Sequence, residues 1–287
     1  SGGFLTAGLK GGDVVRWTGF SPTTNNSNNF WITALTATNM TGVFLNGNAV
    51  SADAAGDSVT CTVVGKKSLS PLTGHTSDYF SVEEWYADLA RSELFGDMKV
   101  SQIAVGLPAT GNATAGIDLV GLNRALASAQ VLTTPTAETT TGIMTSVNGV
   151  LYVNGAAVTN VTGIDFTISN SAASVGAVVG SNSAPDISTG RIKVSGTFTA
   201  LFDAVTFQTL YDAETAVSLA VVLTADETAT SDFMAFTLGK IKITGDSPDD
   251  GEKGIIRSYP FTAEINRAGG AALAWDDTII TVQDSAA

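Results

Sequence analysis

Residues 78–123 read DYFSVEEWYADLARSELFGDMKVSQIAVGLPATGNATAGIDLVGLN, and this stretch decides the fold. Its aromatic and β-branched residues favour the pleated, half-buried surface of a β-sheet. We predict a strand at Tyr79–Leu89, a short turn at residues 90–97, and a hairpin of Met98–Leu107 with Ala113–Gly121 around the connection PATGN. The stretch contains no pair or triad of residues typical of an active site.

Predicted strands also dominate the sequence on the N-terminal side. Runs of four to eight residues rich in Val, Thr, Phe and Trp, separated by Gly and Asn, indicate a small all-β module at residues 1–65. A second, larger β domain is predicted at residues 66–287. Within it, Lys66–Ser77 has no periodicity and is predicted to be an exposed loop. A long loop is predicted at about residues 124–145, where Thr and Ala prevail.

The C-terminal half shows a clearer alternation. Residues 190–202 alternate polar and apolar side chains and predict a half-buried strand. Apolar residues at helical spacing predict a short amphipathic helix at residues 203–214. A further hairpin is predicted to turn at Asn148-Gly149 or at Asn154-Gly155. Pro260 predicts an edge or bulged position for the last strand.

Composition and charge limit the function classes. Charged residues make up 14% of the chain, below the ~25% of an average soluble protein. Large neutral surfaces of this kind are usually covered by partners. The net charge of −13 disfavours a protein that grips nucleic acid, because an acidic surface repels phosphates. No apolar run approaches the ~18 residues of a membrane span, and we expect no signal-like segment.

The residues that could carry chemistry are few. His75 is the single histidine, and we expect it in a polar loop without a catalytic role. Cys61 is the single cysteine and is predicted to be a buried strand residue. Glu83-Glu84 and Asp276-Asp277 are adjacent carboxylates, which point to opposite faces on a strand and cannot act as a pair. We therefore expect no catalytic residue and no cofactor.

An acidic loop near the C-terminus offers a weak calcium site. Hard cations favour several carboxylates on a flexible turn, although the regular spacing of an EF-hand is missing. We expect no bound metal, and an acidic surface loop is the preferred interpretation. The weak candidate ligands are Asp246, Asp249, Asp250 and Glu252.

The order of these elements resembles that of a known family. Phe80–Leu122, with strands like FSVEEWYADL, MKVSQIAVGL and ATAGIDLVG, resembles the shared core of tail tube proteins of long-tailed, siphovirus-like bacteriophages. The likeness resumes at residue 190 with GRIKVSGTFTALF, the predicted helix and the strands that follow. The N-terminal pattern is similar to a small β module of some members. The resemblance covers about two-thirds of the chain, and the element order is its specific part.

The resemblance implies a mainly β fold, a tail-tube-type β-sandwich or barrel with one short flanking α-helix, plus the small N-terminal β module. It implies a structural virion protein that assembles into hexameric rings, which stack into the hollow tube that delivers DNA to the host. It also implies assembly in the host bacterial cytoplasm. The implied partners are further copies of the chain, the tape measure protein, the tail terminator and the distal tail proteins. Viral DNA would pass without sequence-specific binding.

The same resemblance implies roles for individual residues. The hairpin Met98–Gly121 would line the lumen or form the ring sheet, through Lys99, Ser101, Gln102, Asn112, Thr114 and Asp118. The segment Lys66–Ser77 would contact an adjacent ring, through Lys66, Lys67, Leu69, Leu72 and His75. Packing or interface roles would fall to Trp85, Tyr86, Phe207 and Tyr211.

Two other function classes stay open at this level. Richness in Ser, Thr and Asn is also typical of a secreted β-sandwich binding module or adhesin. A hydrolase would need two carboxylates brought together from distant strands, because fold alone does not determine function.

Overall fold

The computed structural model describes residues 3–71, 78–134, 137, 139–181, 184–202, 205–249 and 255–286. This part of the chain contains twenty strands and one α-helix, so the prediction of a mainly β protein with one short helix is confirmed. The strands are β1 (Val14–Thr18), β2 (Phe30–Leu35), β3 (Met40–Phe44), β4 (Thr60–Val63), β5 (Lys66–Ser70), β6 (Phe80–Tyr86), β7 (Arg91–Leu107), β8 (Thr114–Val120), β9 (Asn123–Ala127), β10 (Gly149–Val153), β11 (Ala156–Val158), β12 (Val161–Ser169), β13 (Ala173–Ser174), β14 (Ile187–Ser188), β15 (Lys193–Leu201), β16 (Val217–Thr224), β17 (Phe233–Ile243), β18 (Ser247–Pro248), β19 (Ile256–Ala263) and β20 (Ile280–Asp284). The helix is α1 (Thr206–Asp212).

The first four strands form a separate antiparallel sheet in the order β3-β2-β1-β4. One face of this N-terminal sheet packs into its own small core, which includes Val15, Phe30, Ile32 and Phe44. The ring of Trp17 meets that of Phe30 edge to face at 5.4 Å between centroids. The valines and aromatics that predicted strands here are thus the residues that fill this core.

The remaining long strands belong to one large antiparallel sheet that curves over a central core. Its order runs β11-β10-β16-β17-β19-β15-β12-β7, with β8 on the far side of β7. Two parts of this sheet face each other, because Phe166 on β12 and Phe236 on β17 meet edge to face at 5.2 Å across the core. Strand β17 joins the two parts: its first residues pair with β16 and β20, and Ile241–Ile243 pair with β19.

The N-terminal sheet covers the outer side of β16, so β16 is buried on both faces. Leu219, Val221 and Leu223 belong to the central core, whereas Ala220 and Val222 pack with the N-terminal sheet. Trp31 of β2 stacks on Tyr152 of β10 at 4.1 Å between ring centroids. This double burial explains the unbroken apolar run Leu219–Leu223 within β16.

Polar contacts join the N-terminal sheet to the C-terminal strand β20. The amide of buried Gln283 accepts from the Val14 N–H at 2.8 Å and donates to the carbonyls of Val14 and Val64 at 2.9 and 2.7 Å. The Lys67 ammonium lies between Asp13, at 2.5 Å, and Asp276, at 2.7 Å. Residues from both ends of the chain therefore hold this interface together.

Three loop or turn predictions are wrong. Lys66–Ser70 is not a loop but β5, which pairs with β20 over its whole length. Residues 90–97 are mostly not a turn, because β7 already begins at Arg91 and runs for 17 residues. Within the predicted loop 124–145, the first residues form β9, which pairs with β7. The partners of β5 and β9 come from elsewhere in the chain, and local composition carries no information about them. Residues 91–97 instead pair with the adjacent strand β6 through a turn that lies at residues 87–90.

Other local predictions are confirmed. The hairpin of β10 and β11 turns at Asn154-Gly155, where both residues have positive φ values of 50° and 76°. The helix forms within the predicted span 203–214, of which residues 203 and 204 lie outside the described part. Pro260 does not lie at an edge, because β19 is flanked by β15 and by β17 and β18. It does face an irregular stretch between β17 and β18, where its missing N–H is not needed.

Candidate functional site

One face of the curved sheet is covered by none of the described residues, and we call it the open face. It is the outward side of β8, β7, β12, β15 and β19. On β12, Ile164 and Phe166 point into the core while Asp165 is exposed. On β15, Val194 and Phe198 are buried, and Ser195 and Thr197 lie on the opposite side. Strand alternation therefore places one consistent set of side chains on this face.

Strand register aligns these side chains into transverse rows. One row runs Thr114, Gly106, Asp165, Thr197 and Pro260 from β8 to β19. The adjacent row runs Gly116, Ala104, Thr167, Ser195 and Thr262. Because the side chains are small, the face is concave, with a volume of about 670 Å³. A Cβ atom on Gly106 would lie 2.7 Å from the Asp165 carboxylate, so a larger residue there would displace this side chain.

The chemistry of the two central rows is nearly neutral. Hydroxyl groups prevail, and Asp165 is the single charged side chain in these rows. Neither row contains a cation or an aromatic ring, the groups that hold phosphates and bases. These two rows can therefore lie beside a polyanion without binding it by charge.

The residues predicted to line a lumen are only partly on this face. Thr114 belongs to the first row. Gln102 and Asp118 continue the face by one further row, where the Gln102 amide donates to the Asp118 carboxylate at 3.3 Å. Ser101 donates to the carbonyl of Asp118 at 3.3 Å, and Asn112 is exposed in the β7–β8 connection, bridged to Thr145.

Lys99 is not available on an open surface. It is buried, and its ammonium donates to the Ile187 carbonyl at 2.9 Å. It also lies 4.5 Å from the ring centroid of Tyr79 and 3.5 Å from the Asp186 carboxylate. Residues 186–187 enclose its side chain, so Lys99 is a residue of β7 that is not on the open face.

Sequence reasoning missed most of the face. Asp165, Thr167 and Thr262 lie in its centre but were not candidates, although alternation did place Ser195 and Thr197 on one side of their strand. The rows depend on the register between strands far apart in sequence. One signal in the sequence could have located the face. In β15 and β19, small hydroxyl residues such as Thr197 and Thr262 alternate with buried aromatic residues such as Phe198 and Phe261.

A second feature projects beyond the core, and we call it the arm. It consists of residues 78–97 and 123–127, that is β6, the first part of β7, and β9. Both β6 and β9 pair with β7, and within the described residues their outer edges pair with no strand. None of the three buried core clusters includes a residue of the arm.

The arm exposes large apolar side chains. Phe80, Leu89 and Leu126 are 50%, 65% and 70% exposed. Tyr86 is also exposed, while Trp85 is half-buried. Exposed apolar residues on a sheet with free edges are typical of surfaces that a partner covers.

Glu83 ties the segment after β9 back onto the arm. Its carboxylate accepts hydrogen bonds from the amides of Val131 and Leu132, both at 2.7 Å, and from the Ser92 hydroxyl at 2.5 Å. Ser92 is 1% exposed even though it lies on the arm. These bonds, with that of Ser92 first, lower the pKa of Glu83 below its ordinary value of 4.5.

We expect acid to release this segment. Because the folded-state pKa of Glu83 is lowered, its bonds stabilise the structure above pH 4.5 and are lost as the pH falls through the folded-state value. Amide hydrogen exchange at Val131 and Leu132 should accelerate in that range beyond its intrinsic pH dependence. Glu83→Gln should show the faster exchange already at neutral pH, and Glu84→Gln, whose carboxylate points away from this segment, should not. Equal protection in both variants would contradict the role of Glu83.

The other predicted site residues lie apart from one another. Phe207 of α1 is buried against Phe198 and Tyr259, and Tyr211 is 38% exposed on the same helix. Lys66, Lys67 and Leu69 belong to β5, so they are part of the sheet. Leu72 and His75 lie outside the described residues.

The weak calcium alternative loses one ligand. Both oxygens of Asp246 accept from the Arg257 guanidinium at 2.7 Å, so this carboxylate is already engaged. Asp249 is exposed, and Asp250 and Glu252 lie outside the described residues. Within the described part of the chain, no group of three or more His, Cys, Asp or Glu residues could hold a metal ion.

A smaller pocket of about 260 Å³ lies in the N-terminal sheet. Its walls are mainly aromatic, from Trp17, Phe20, Phe30 and Phe44, and no charged side chain lines it. Nearby Cys61 is half-buried, and burial raises the pKa of its thiol, which keeps it protonated at neutral pH. Neither feature has the groups needed for acid–base or nucleophilic catalysis.

A family model described as phage tail tube protein matches residues 1–263. No curated protein matches the chain at a significant level. No helix among the described residues is long and apolar enough to cross a membrane. The matched range includes the N-terminal sheet, the arm and the whole open face, and β20 follows it.

Proposed function

The chain belongs to the phage tail tube protein family, and we propose that it is the subunit of a hollow phage tail tube. In this proposal, copies close into hexameric rings, the rings stack, and viral DNA passes through the lumen to the host. Membership of the family already makes the chain a structural component of the phage tail that assembles as a multimer. The family match does not favour the alternative of a secreted binding module or adhesin.

The open face carries the proposal, as the surface that lines the lumen. Its central rows present hydroxyls and one carboxylate, and they contain no cation that would bind a phosphate backbone by charge. The net charge of −13 per copy adds long-range repulsion, and a ring multiplies it. The central rows let DNA slide because they offer no cation at which a phosphate could pause.

The position of the N-terminal sheet supports the same orientation. It covers the outer side of β16, on the opposite side of the core from the open face. If the open face lines the lumen, the N-terminal sheet lies on the outside of the tube. The proposed lumen wall is therefore built by β8, β7, β12, β15 and β19, which include the hairpin predicted from residues 98–121.

The proposal extends to partners and place of assembly. A tube needs an inner length gauge and proteins that close its two ends, so the tape measure, tail terminator and distal tail proteins are the proposed partners. Assembly is proposed to occur in the host bacterial cytoplasm. No catalytic role is proposed, because the family is structural and the acidic residues have structural partners such as Arg257 and Lys67.

Electron microscopy and cysteine labelling test the function together. Purified protein at rising concentration should form stacked rings of uniform width with a central channel. In a Cys61→Ala background, Thr197→Cys on the open face should react with a bulky maleimide in dissociated subunits but not in tubes. Ala54→Cys, on an exposed loop of the N-terminal sheet, should react in both states.

The two readouts contradict different parts of the proposal. Tubes in which Thr197→Cys reacts with the bulky reagent as fast as Ala54→Cys would show that the open face does not line the lumen. Persistent single subunits at every concentration would contradict unaided self-assembly.

A further inference from the structure

A basic cluster lies at one end of the open face, in a chain that is acidic overall. We call it the basic margin: Arg191, Lys193, Lys240 and Lys242, with Glu264 among them. Val194 and Ile241 both pair with Ala263, so Lys193 and Lys240 flank the position of Glu264. Lys242 pairs with Thr262, so it extends the second central row beyond β19. With four cations and one anion, the margin carries a net charge of +3.

The margin is only partly neutralised within the subunit. Lys240 contacts Glu264 at 2.7 Å, and both side chains are exposed by more than a third. Arg191 and Lys193 are exposed, and no ion pair among the described residues includes them or Lys242. By contrast, Lys67, Arg257 and Lys99 are each engaged by acidic groups. The margin thus leaves most of its positive charge available to a partner.

The arm has the complementary character. It contains six acidic and two basic residues, a net charge of −4. Glu84 and Glu93 face each other in the β6–β7 register, and Arg124 engages Glu93 at 2.6 Å. Glu84 and Asp88 are exposed beside the apolar side chains of Tyr86 and Leu89. A sheet with free edges that exposes acidic and apolar groups together is typical of a surface that binds another protein.

The two surfaces lie at different sides of the same sheet. The arm continues from β7, whereas the margin is built by β15, β17 and the end of β19, with β12 between them. No ion pair among the described residues joins the two within one subunit. A contact between them must then join two copies head to tail, and such contacts either close into a ring or continue as a filament.

We propose that the arm of one copy packs against the basic margin of a second copy. This inference rests on the proposed self-assembly and names the surfaces that carry it. Charge sets the orientation, because carboxylates of the arm meet ammonium groups of the margin, and the exposed apolar residues of the arm supply the area that is removed from water. The central rows of the open face stay uncovered.

Charge reversal on each surface tests the contact. Glu84→Lys with Asp88→Lys reverses the arm, and Lys193→Glu with Lys242→Glu reverses the margin. Each pair should raise the concentration needed for tube assembly by about tenfold, since several surface ion pairs become repulsions. The chain with all four substitutions keeps the net charge of −13 and should assemble like the original.

A matched control separates this contact from net charge. Asp53→Lys with Glu227→Lys makes the same charge change as the arm reversal, at exposed positions in the β3–β4 and β16–β17 connections, and should leave assembly unaltered. Thermal unfolding of each soluble variant shows that the subunits stay folded.

Other results would overturn the inference. Normal assembly after either reversal, or no recovery in the fourfold variant, would exclude the contact while leaving the tube function intact. Unaltered assembly of the margin variant together with weaker binding to duplex DNA at low salt would assign the margin to DNA instead. If the original chain stays as single subunits at every concentration, both unaided self-assembly and this contact fail.

Discussion

Replacing Phe198 with alanine is expected to lower the free energy of unfolding by about 3–5 kcal/mol. Phe198 is 1% exposed at the centre of the core, and its ring lies 5.0 Å from that of Phe207 and 5.2 Å from that of Tyr259, between centroids. The substitution removes these contacts and leaves a cavity that close-packed neighbours cannot fill. Urea denaturation of the dissociated subunit measures the change.

The matched control for this substitution is Phe80→Ala in the arm. Phe80 is 50% exposed and belongs to no buried cluster, so the change in unfolding free energy should stay within about 0.5 kcal/mol. A loss at Phe80 as large as that at Phe198 would show that the arm belongs to the folded core of the subunit. It would also remove the reason for seeking a partner that covers the arm.

Gln283→Leu is expected to lower the free energy of unfolding by at least about 2 kcal/mol. The side chain is 1% exposed and makes three hydrogen bonds to the backbone of Val14 and Val64. Leucine has a similar size but leaves these polar groups in an interior without water, so their desolvation is no longer offset. Urea denaturation again gives the magnitude.

Gln130→Leu is the control for this second substitution. Gln130 is exposed and donates to the Leu132 carbonyl, which water can replace. The free energy of unfolding of the Gln130→Leu variant should differ from that of the original chain by less than about 0.5 kcal/mol. Equal stability of Gln283→Leu and the original chain would mean that the N-terminal sheet does not depend on β20 for its attachment.

Such attachment bears on how the tube is built. The strand that holds the N-terminal sheet lies at the opposite end of the chain, and Lys67 adds an ion pair on each side. The N-terminal sheet is therefore joined to the sandwich by buried polar contacts as well as by Trp31 and its neighbours. Under the proposed function, the N-terminal sheet would form an outer layer that is rigidly attached to the wall of the tube.

Local patterns predicted the elements whose faces are set by alternation. β15 alternates buried Val194 and Phe198 with exposed positions, and the prediction for residues 190–202 matches this strand. The Asn154-Gly155 turn was also predictable, since few other dipeptides accept two positive φ values. In both cases the information lies within a few residues of the element itself.

Elements that depend on a distant partner were not predictable in this way. Lys66–Ser70 has the composition of a loop but becomes a strand because β20 supplies the hydrogen bonds, from residues more than two hundred positions later. Lysine is usually a surface residue, but the side chain of Lys99 is enclosed by residues 186–187. Backbone pairing and burial are properties of the assembled fold, and local propensity is too weak to override them.

The sequence by itself determined that this protein is mainly β, acidic and poor in catalytic groups, because composition and alternation act residue by residue. Its element order also sufficed for the resemblance to tail tube proteins. Only the tertiary structure decided which face stays open, that the arm projects from β7, and that Lys193, Lys240 and Lys242 gather at one margin. The physical reason is register: side chains from β7, β12, β15, β17 and β19 become neighbours only when backbone hydrogen bonds align strands that are far apart in the chain.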